Sequence, residues 1–358
     1  MSTVPLLFCT RNGSLVDLHT PIAFANQRIF IGVLYLAVYL PNVAAQTLCF
    51  AAICHRKHLQ YSCYKLMMFV SFLDILNLST SLLMTATFSL FPVIHCEYAK
   101  TVLIGGKALY FIWYAYCAAA TILAFNRFLE FAYTPLVGIL FSGRRAWSWI
   151  VPIVGYAAAI TFTTPYPYFY VPDAGVFSYF TPQEPPHFAP TDRHLFSDSC
   201  GPLPIWRSGV ARRQDTVFDM LDVNHVVNNL AKFAIVSVFY SAMWILMKIK
   251  TKGLGSYQVS VGEKRLSIQA LLVGVFAGCS TVGYLAMEYL PLQNVPFMGV
   301  AGTLLWASVH SASAWIYLTM NKSIRTTGLT MIRLAKSSKI SVTTVAKVAS
   351  ISQGLRHR

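Results

Sequence analysis

The chain has 358 residues, of which 56% are hydrophobic and only 11% charged, with a formal net charge of +15. Soluble domains carry about a quarter charged residues, so most of this chain is excluded from water. The basic residues are scattered between apolar runs instead of gathered with aromatic residues on soluble elements, which excludes a nucleic-acid surface as their explanation.

Seven apolar segments follow in order, each near the ~20 residues that cross a ~30 Å hydrocarbon core. They are expected over about 29–54, 66–91, 101–125, 146–169, 229–247, 266–290 and 296–320. The pattern predicts an all-α membrane protein, a seven-transmembrane-helix bundle. Residues 1–28 then form an extracellular N-terminus and 29–320 the transmembrane domain. A long extracellular loop between the fourth and fifth spans covers about 170–228, and a basic Ser/Thr-containing cytosolic tail covers 321–358. Orientation rests on Lys and Arg. With the N-terminus outside, the inner connections and tail carry 19 of them and the outer side nine. Cytoplasmic loops hold the basic excess, so the C-terminus is expected in the cytosol. The sequon Asn12-Gly13-Ser14 falls on the outer side and makes Asn12 a candidate glycosylation site.

The loop at 170–228 is polar and Pro-rich, with Pro182, Pro185, Pro186, Pro190, Pro202 and Pro204. Loops this long are functional or disordered. It reads either as a lid over an extracellular pocket or as a flexible insertion, a gene-model error included. The tail reads as an unstructured solvated segment or as one drawn to anionic membrane lipid, at ~1 kcal/mol per basic residue near the surface.

Ionisable groups inside a span face the bundle interior. Asp74 sits ~13 Å past Lys65 in the second span, and His310 sits ~16 Å before Asn321 in the seventh. They read as a polar activation switch or as a buried structural pair. Lys107 lies ~30 Å before Arg127 along the third span, at the outer interface. It reads as a contact for an acidic ligand or as a snorkelling cation. Lys232 and Glu288, at the expected outer ends of the fifth and sixth spans, carry the same two readings. The third span is rich in aromatic residues, among them Tyr110, Trp113 and Tyr114, which line a small-molecule pocket or pack the bundle. Asn126-Arg127 closes that span. Its arginine either holds neighbouring inner ends together or is one more inner-side basic residue.

Cys49, Cys117 and Cys279 lie in apolar runs and are expected to be packed thiols, whereas Cys9, Cys96 and Cys200 fall on the outer side. No HExxH, no GxSxG in a strand–turn–helix setting and no P-loop is present, so no catalytic residue, cofactor or metal site is expected. Asp74, Asn77, Ser79, Thr80 and Ser81 make a partial polar file on the second span. That file keeps a transporter or channel subunit as the alternative.

Five strings together resemble the Srt class of nematode serpentine chemoreceptors. They are Ser62-Cys63-Tyr64-Lys65 with Leu73-Asp74, Asn126-Arg127-Phe128-Leu129-Glu130, Phe162-Thr163-Thr164-Pro165, Asn224-His225-Val226-Val227-Asn228-Asn229, and Ile316 to Arg325. The resemblance implies a G-protein-coupled receptor that binds a small odorant or pheromone and activates a heterotrimeric G protein. It also implies the plasma membrane of a sensory neuron, at the cilium. On the family pattern Asn126-Arg127 replaces the acidic-Arg-Tyr motif of rhodopsin-like receptors. Tyr317 looks like the tyrosine that closes the seventh helix, and Asp74 like the helix 2 aspartate. Cys96 is placed like the family's cysteine before the third helix, which makes Cys96–Cys200 the implied disulfide. The seventh span departs from the pattern, reading His310-Ser311-Ala312-Ser313 where His-Gly-x-Pro is usual. That departure and the long loop leave room for a decayed receptor that does not signal.

Overall fold

A computed structural model describes residues 23–91, 95–164, 168–171, 176–179, 223–253, 261–289 and 297–333. Among the described residues seven helices build the bundle, and a short helix, Thr134–Phe141, lies between the third and the fourth. The first is Ala23–Ile53, and the second runs from Ser62 to Leu90. The third, His95–Ala132, is broken at Tyr98, where φ is −120° and ψ is 32°. The fourth comprises Arg145–Ser148 and Ile150–Thr163. The fifth is Val223–Gly253, the sixth Val261–Tyr289 and the seventh Met298–Met320. Five of these are long and apolar enough to cross a membrane, and the sixth contains the shorter apolar stretch Leu271–Gly283. A helix suits hydrocarbon because it satisfies its own backbone polar groups.

The third span is the hub. It packs against the second, fourth and fifth spans. Small buried residues at Ala115, Ala119 and Ala124 let its neighbours approach closely. The first span packs on the second and seventh, and the sixth bridges the fifth and seventh. Large apolar side chains such as Phe162, 82% exposed, and Val151, 75% exposed, point outward as lipid-facing residues do.

The second span contains a π-helical turn, Ser79–Met84. Three consecutive hydroxyls there bond back to their own helix: Ser79 to Ile75 O at 2.8 Å, Thr80 to Leu76 O at 3.0 Å and Ser81 to Asn77 O at 2.6 Å. Such back-bonding competes with the backbone ladder and bends helices. It also occupies hydroxyls that the sequence offered as a polar file.

Several boundaries differ from expectation. The fourth span stops at Thr163, not 169, because Pro165 and Pro167 cannot continue a helix. Beyond them lies an antiparallel hairpin, β1 (Tyr168–Val171) and β2 (Val176–Tyr179), with Tyr168 opposite Tyr179. β1 seats on the third span, and its Tyr170 hydroxyl lies 2.6 Å from Ser89 Oγ on the second. The fifth span starts at Val223, six residues before the expected 229. Cys279 is exposed on the outer face of the sixth span, not packed, because an apolar run does not say which face a residue takes.

The segment after the seventh span is not uniformly unstructured. Residues 322–333 form a helix. Asn321 caps it, its Oδ1 accepting the backbone N–H groups of Ser323 and Ile324 at 3.1 Å each. Ile324 is fully buried. His58, in the connection between the first two spans, lies with Nε2 3.3 Å from Thr327 Oγ1.

Two outcomes follow. A Cβ on Gly32 would stand 2.6 Å from Leu90 Cγ and 3.2 Å from the Ala86 carbonyl, so the first two spans touch there. Gly32→Val should cost about 1–3 kcal/mol of overpacking and lower the melting temperature by several degrees in detergent. Burial, with the Lys57 and His55 charges, holds His58 below the ordinary histidine value of 6.5. A histidine with a depressed folded pKa contributes stability above 6.5 that is lost as pH falls through the folded value. Amide-exchange protection factors over 322–333 should therefore fall below that pH, and His58→Gln should flatten the dependence.

Candidate functional site

The seventh span brings His310 to Asp74, with Nδ1 2.8 Å from Oδ1. Both residues are fully buried. Hydrocarbon supplies no water, so every oxygen of a buried carboxyl needs a protein partner. Ser313 Oγ donates to Asp74 Oδ2 at 2.8 Å, and Gln46 Nε2 donates to the same oxygen at 3.2 Å and to Ser71 Oγ at 3.0 Å. Ser313 lies one turn after His310, which puts both on one face of the seventh span. The network thus ties the first, second and seventh spans together. Sequence reading found Asp74 and His310. Gln46 and Ser313 escaped it because a lone amide or hydroxyl in an apolar run carries no signal of its own.

An aromatic cluster adjoins this network. The His310 ring meets Tyr116 edge-on with centroids 4.5 Å apart, and Trp113 at 5.7 Å. Trp113 packs on Trp306 at 4.3 Å, and its Nε1 donates to Asn229 Oδ1 at 2.9 Å. Tyr110 and Tyr114 stack at 5.7 Å, and both rings face His225, which stacks on Trp306 at 6.2 Å. The string Asn224 to Asn229 therefore opens the fifth helix with His225, Asn228 and Asn229 directed inward and Asn224 and Val227 exposed.

Lys232 stands beside this cluster, not at a helix end. It lies nine residues after Val223, about 14 Å along the axis, and is only 5% exposed. Its ammonium sits 4.3 Å from the Trp113 ring centroid and 5.6 Å from that of Tyr116. The early helix start was the missing signal. Measured from 229, Lys232 falls at the interface; measured from 223, it falls deep.

Lys107 reaches back to the fourth span. Its Nζ donates to the carbonyls of Thr161 at 2.9 Å and Thr164 at 3.1 Å. A helix leaves its last carbonyls without partners, and a cation there also meets the negative end of the dipole.

At the other end of the bundle Arg127 pairs within its own helix, Nη1 to Glu130 Oε2 at 2.9 Å. Asn126 is fully buried and donates to Ser62 Oγ at 3.4 Å. Tyr317, two turns after His310, is half-buried against the main core. Glu288 lies in the sixth span, but its side chain and that of Cys96 are outside the described residues, as are Cys200 and Asn12 altogether.

Comparison with known families matches one described as serpentine type 7TM GPCR chemoreceptor Srt, over residues 9–195 and 210–341. The match covers most of the chain, and the chain belongs to this family of seven-transmembrane chemosensory receptors. It is not an enzyme family. No curated protein matches the chain.

If Asp74 and His310 act as one unit, their removals are not additive. Asp74→Ala and His310→Ala should each lower thermal stability in detergent by several degrees. The double variant should fall by clearly less than the two drops combined, corresponding to a coupling of about 1–3 kcal/mol. Simple additivity would show that the contact is incidental.

Proposed function

We propose that this receptor binds a small odorant or pheromone and activates a heterotrimeric G protein, with its N-terminus outside and its C-terminus in the cytosol. The ligand enters the hairpin half of the bundle, among the third, fifth and seventh spans. Tyr110, Trp113 and Tyr114 contact it, with Lys107 and Glu288 at the outer rim. The observation that carries this reading is the unbroken contact from Trp113 through His310 to Asp74. A ligand that displaces Trp113 changes the surroundings of His310, and so the hydrogen bonds that join three spans.

Differential affinity for one arrangement shifts the population toward it. The seventh span carries His310 and Tyr317, so its repacking reaches the Arg127 end. Release of Arg127 from Glu130 then frees the guanidinium for the surface the G protein engages. The basic excess of the inner connections supplies the charge for that surface and for anionic lipid. Residence is the plasma membrane, at the cilium of a sensory neuron, with Asn12 glycosylated and Cys96 bonded to Cys200 on the outer side.

Arg127→Ala should abolish agonist-driven G-protein signalling while leaving surface expression within about twofold of the parent, since the Arg127–Glu130 pair lies within one helix and joins no two spans. Reporter assays with surface-labelling controls measure both. Signalling that survives the change would sink the role given to Arg127. A fluorescent C-terminal tag should concentrate in chemosensory cilia in the native animal.

A further inference from the structure

A cavity of about 290 Å³ opens on the flank of the bundle between the fourth and fifth spans. Both spans pack on the third and hardly touch each other, so Cys117 and Thr121 of the third form its floor. Its walls are apolar, with Trp149, Pro152 and Ile153 on one side and Ala231 and Ile235 on the other. The polar groups are few: Lys232, Asn228 one turn earlier on the same helix, and Tyr156 opposite. Its size lies at the small end of the roughly 300–1,000 Å³ of small-molecule sites.

Lys232 is the unusual member. Its side chain is 95% withdrawn from solvent, yet among the described residues no carboxylate and no hydrogen-bond acceptor meets its ammonium. It rests over the faces of Trp113 and Tyr116. An ammonium has three donors, and a cation in a membrane interior is paired or faces a functional cavity. Asp74 is near enough to feel the Lys232 charge but makes no ion pair with it, its oxygens bonding Gln46, Ser313 and His310. Tyr156 donates to Asn228 Oδ1 at 2.8 Å and the Asn228 amide nitrogen donates to Asn229 Oδ1 at 3.4 Å, which leaves the Tyr156 oxygen beside the same space.

We propose that this cavity binds a small amphipathic carboxylic acid, its carboxylate on Lys232 and its chain along the apolar walls, entering sideways from the bilayer. The inference rests on the receptor reading and adds to it a lateral site, beside the aromatic cluster, for a ligand of this chemical class. An ordinary phospholipid fits less well. Its headgroup stays at the interface, about 15 Å from the bilayer centre, and its acyl chain offers no anion. A free acid carries its charge on the end of the chain and can bring it to a buried cation. Docking would draw the ammonium off the Trp113 ring. Because Trp113 touches Trp306 and His310, the acid would act on the same chain of contacts that leads to Asp74.

The test is binding to the purified full-length receptor in nanodiscs. The probes are the straight-chain acids from butanoic to dodecanoic and the matching primary alcohols. At least one acid should bind at least about tenfold tighter than its alcohol, the scale of a charge-assisted hydrogen bond in a dry site. Lys232→Met should erase that preference while the alcohols still bind, which also reports that the variant is folded. Ile235→Trp should fill the groove and weaken acid and alcohol alike. Equal binding of acids and alcohols, no binding of any acid, or a preference that survives Lys232→Met would overturn the proposal. So would native mass spectrometry showing a retained phospholipid that excess acid does not displace. Lys232-dependent binding without G-protein activation in cells would leave the site standing and sink the receptor reading. Signalling by other odorants that Lys232→Met does not alter, with no acid bound, would do the reverse.

Discussion

A carboxyl group in the middle of a hydrocarbon slab has no water to turn to, and this bundle is organised around meeting that need at Asp74. Its two oxygens are served by Gln46, His310 and Ser313, which come from the first and seventh helices. Leaving any buried polar group without its partner costs several kcal/mol in lipid, so the three helices hold one mutual rotation and depth. The second span also relaxes into a π-helical turn one helical turn beyond Asp74. Turns of this kind often mark functional sites.

The third helix carries the other half of the architecture. It lies at the centre, and its aromatic residues pack between the fifth and seventh spans. Trp113 is shared by three systems: a hydrogen bond to Asn229, a ring contact with Trp306 and the ammonium of Lys232. A side chain with that many obligations moves only when several partners move. This is the property a switch requires, because packed interiors change between discrete arrangements and do not deform smoothly. Arg127 and Glu130, in contrast, form a local pair within one helix that joins no two spans.

Much of the site was legible from residue type and depth alone. Asp74 and His310 stand out because ionisable groups are rare inside apolar runs, and their similar depths suggested a meeting. Lys232 was visible but misplaced, since the polar string before it looked like loop. Asn228 and Asn229 face inward, and that inward face lets the helix begin early. The helix over 322–333 was hidden for a related reason. Its apolar residues are too few to register as a span, and only Ile324 settling into the bundle and the Asn321 cap reveal it.

Sequence alone determined that the chain crosses a membrane as seven helices, because hydropathy and the length of a span are set by the bilayer and read along one dimension. It also determined the family, since five short strings keep their order along the chain. Tertiary structure alone decided which faces meet. Lys107 satisfies the fourth helix's carbonyls, Lys232 stands over Trp113 beside an open cavity, and Gln46 completes the shell of Asp74. The reason is that these helices are apolar nearly all round. Their periodicity marks no inner face, and rotation about each axis is settled only when polar side chains from different helices find one another.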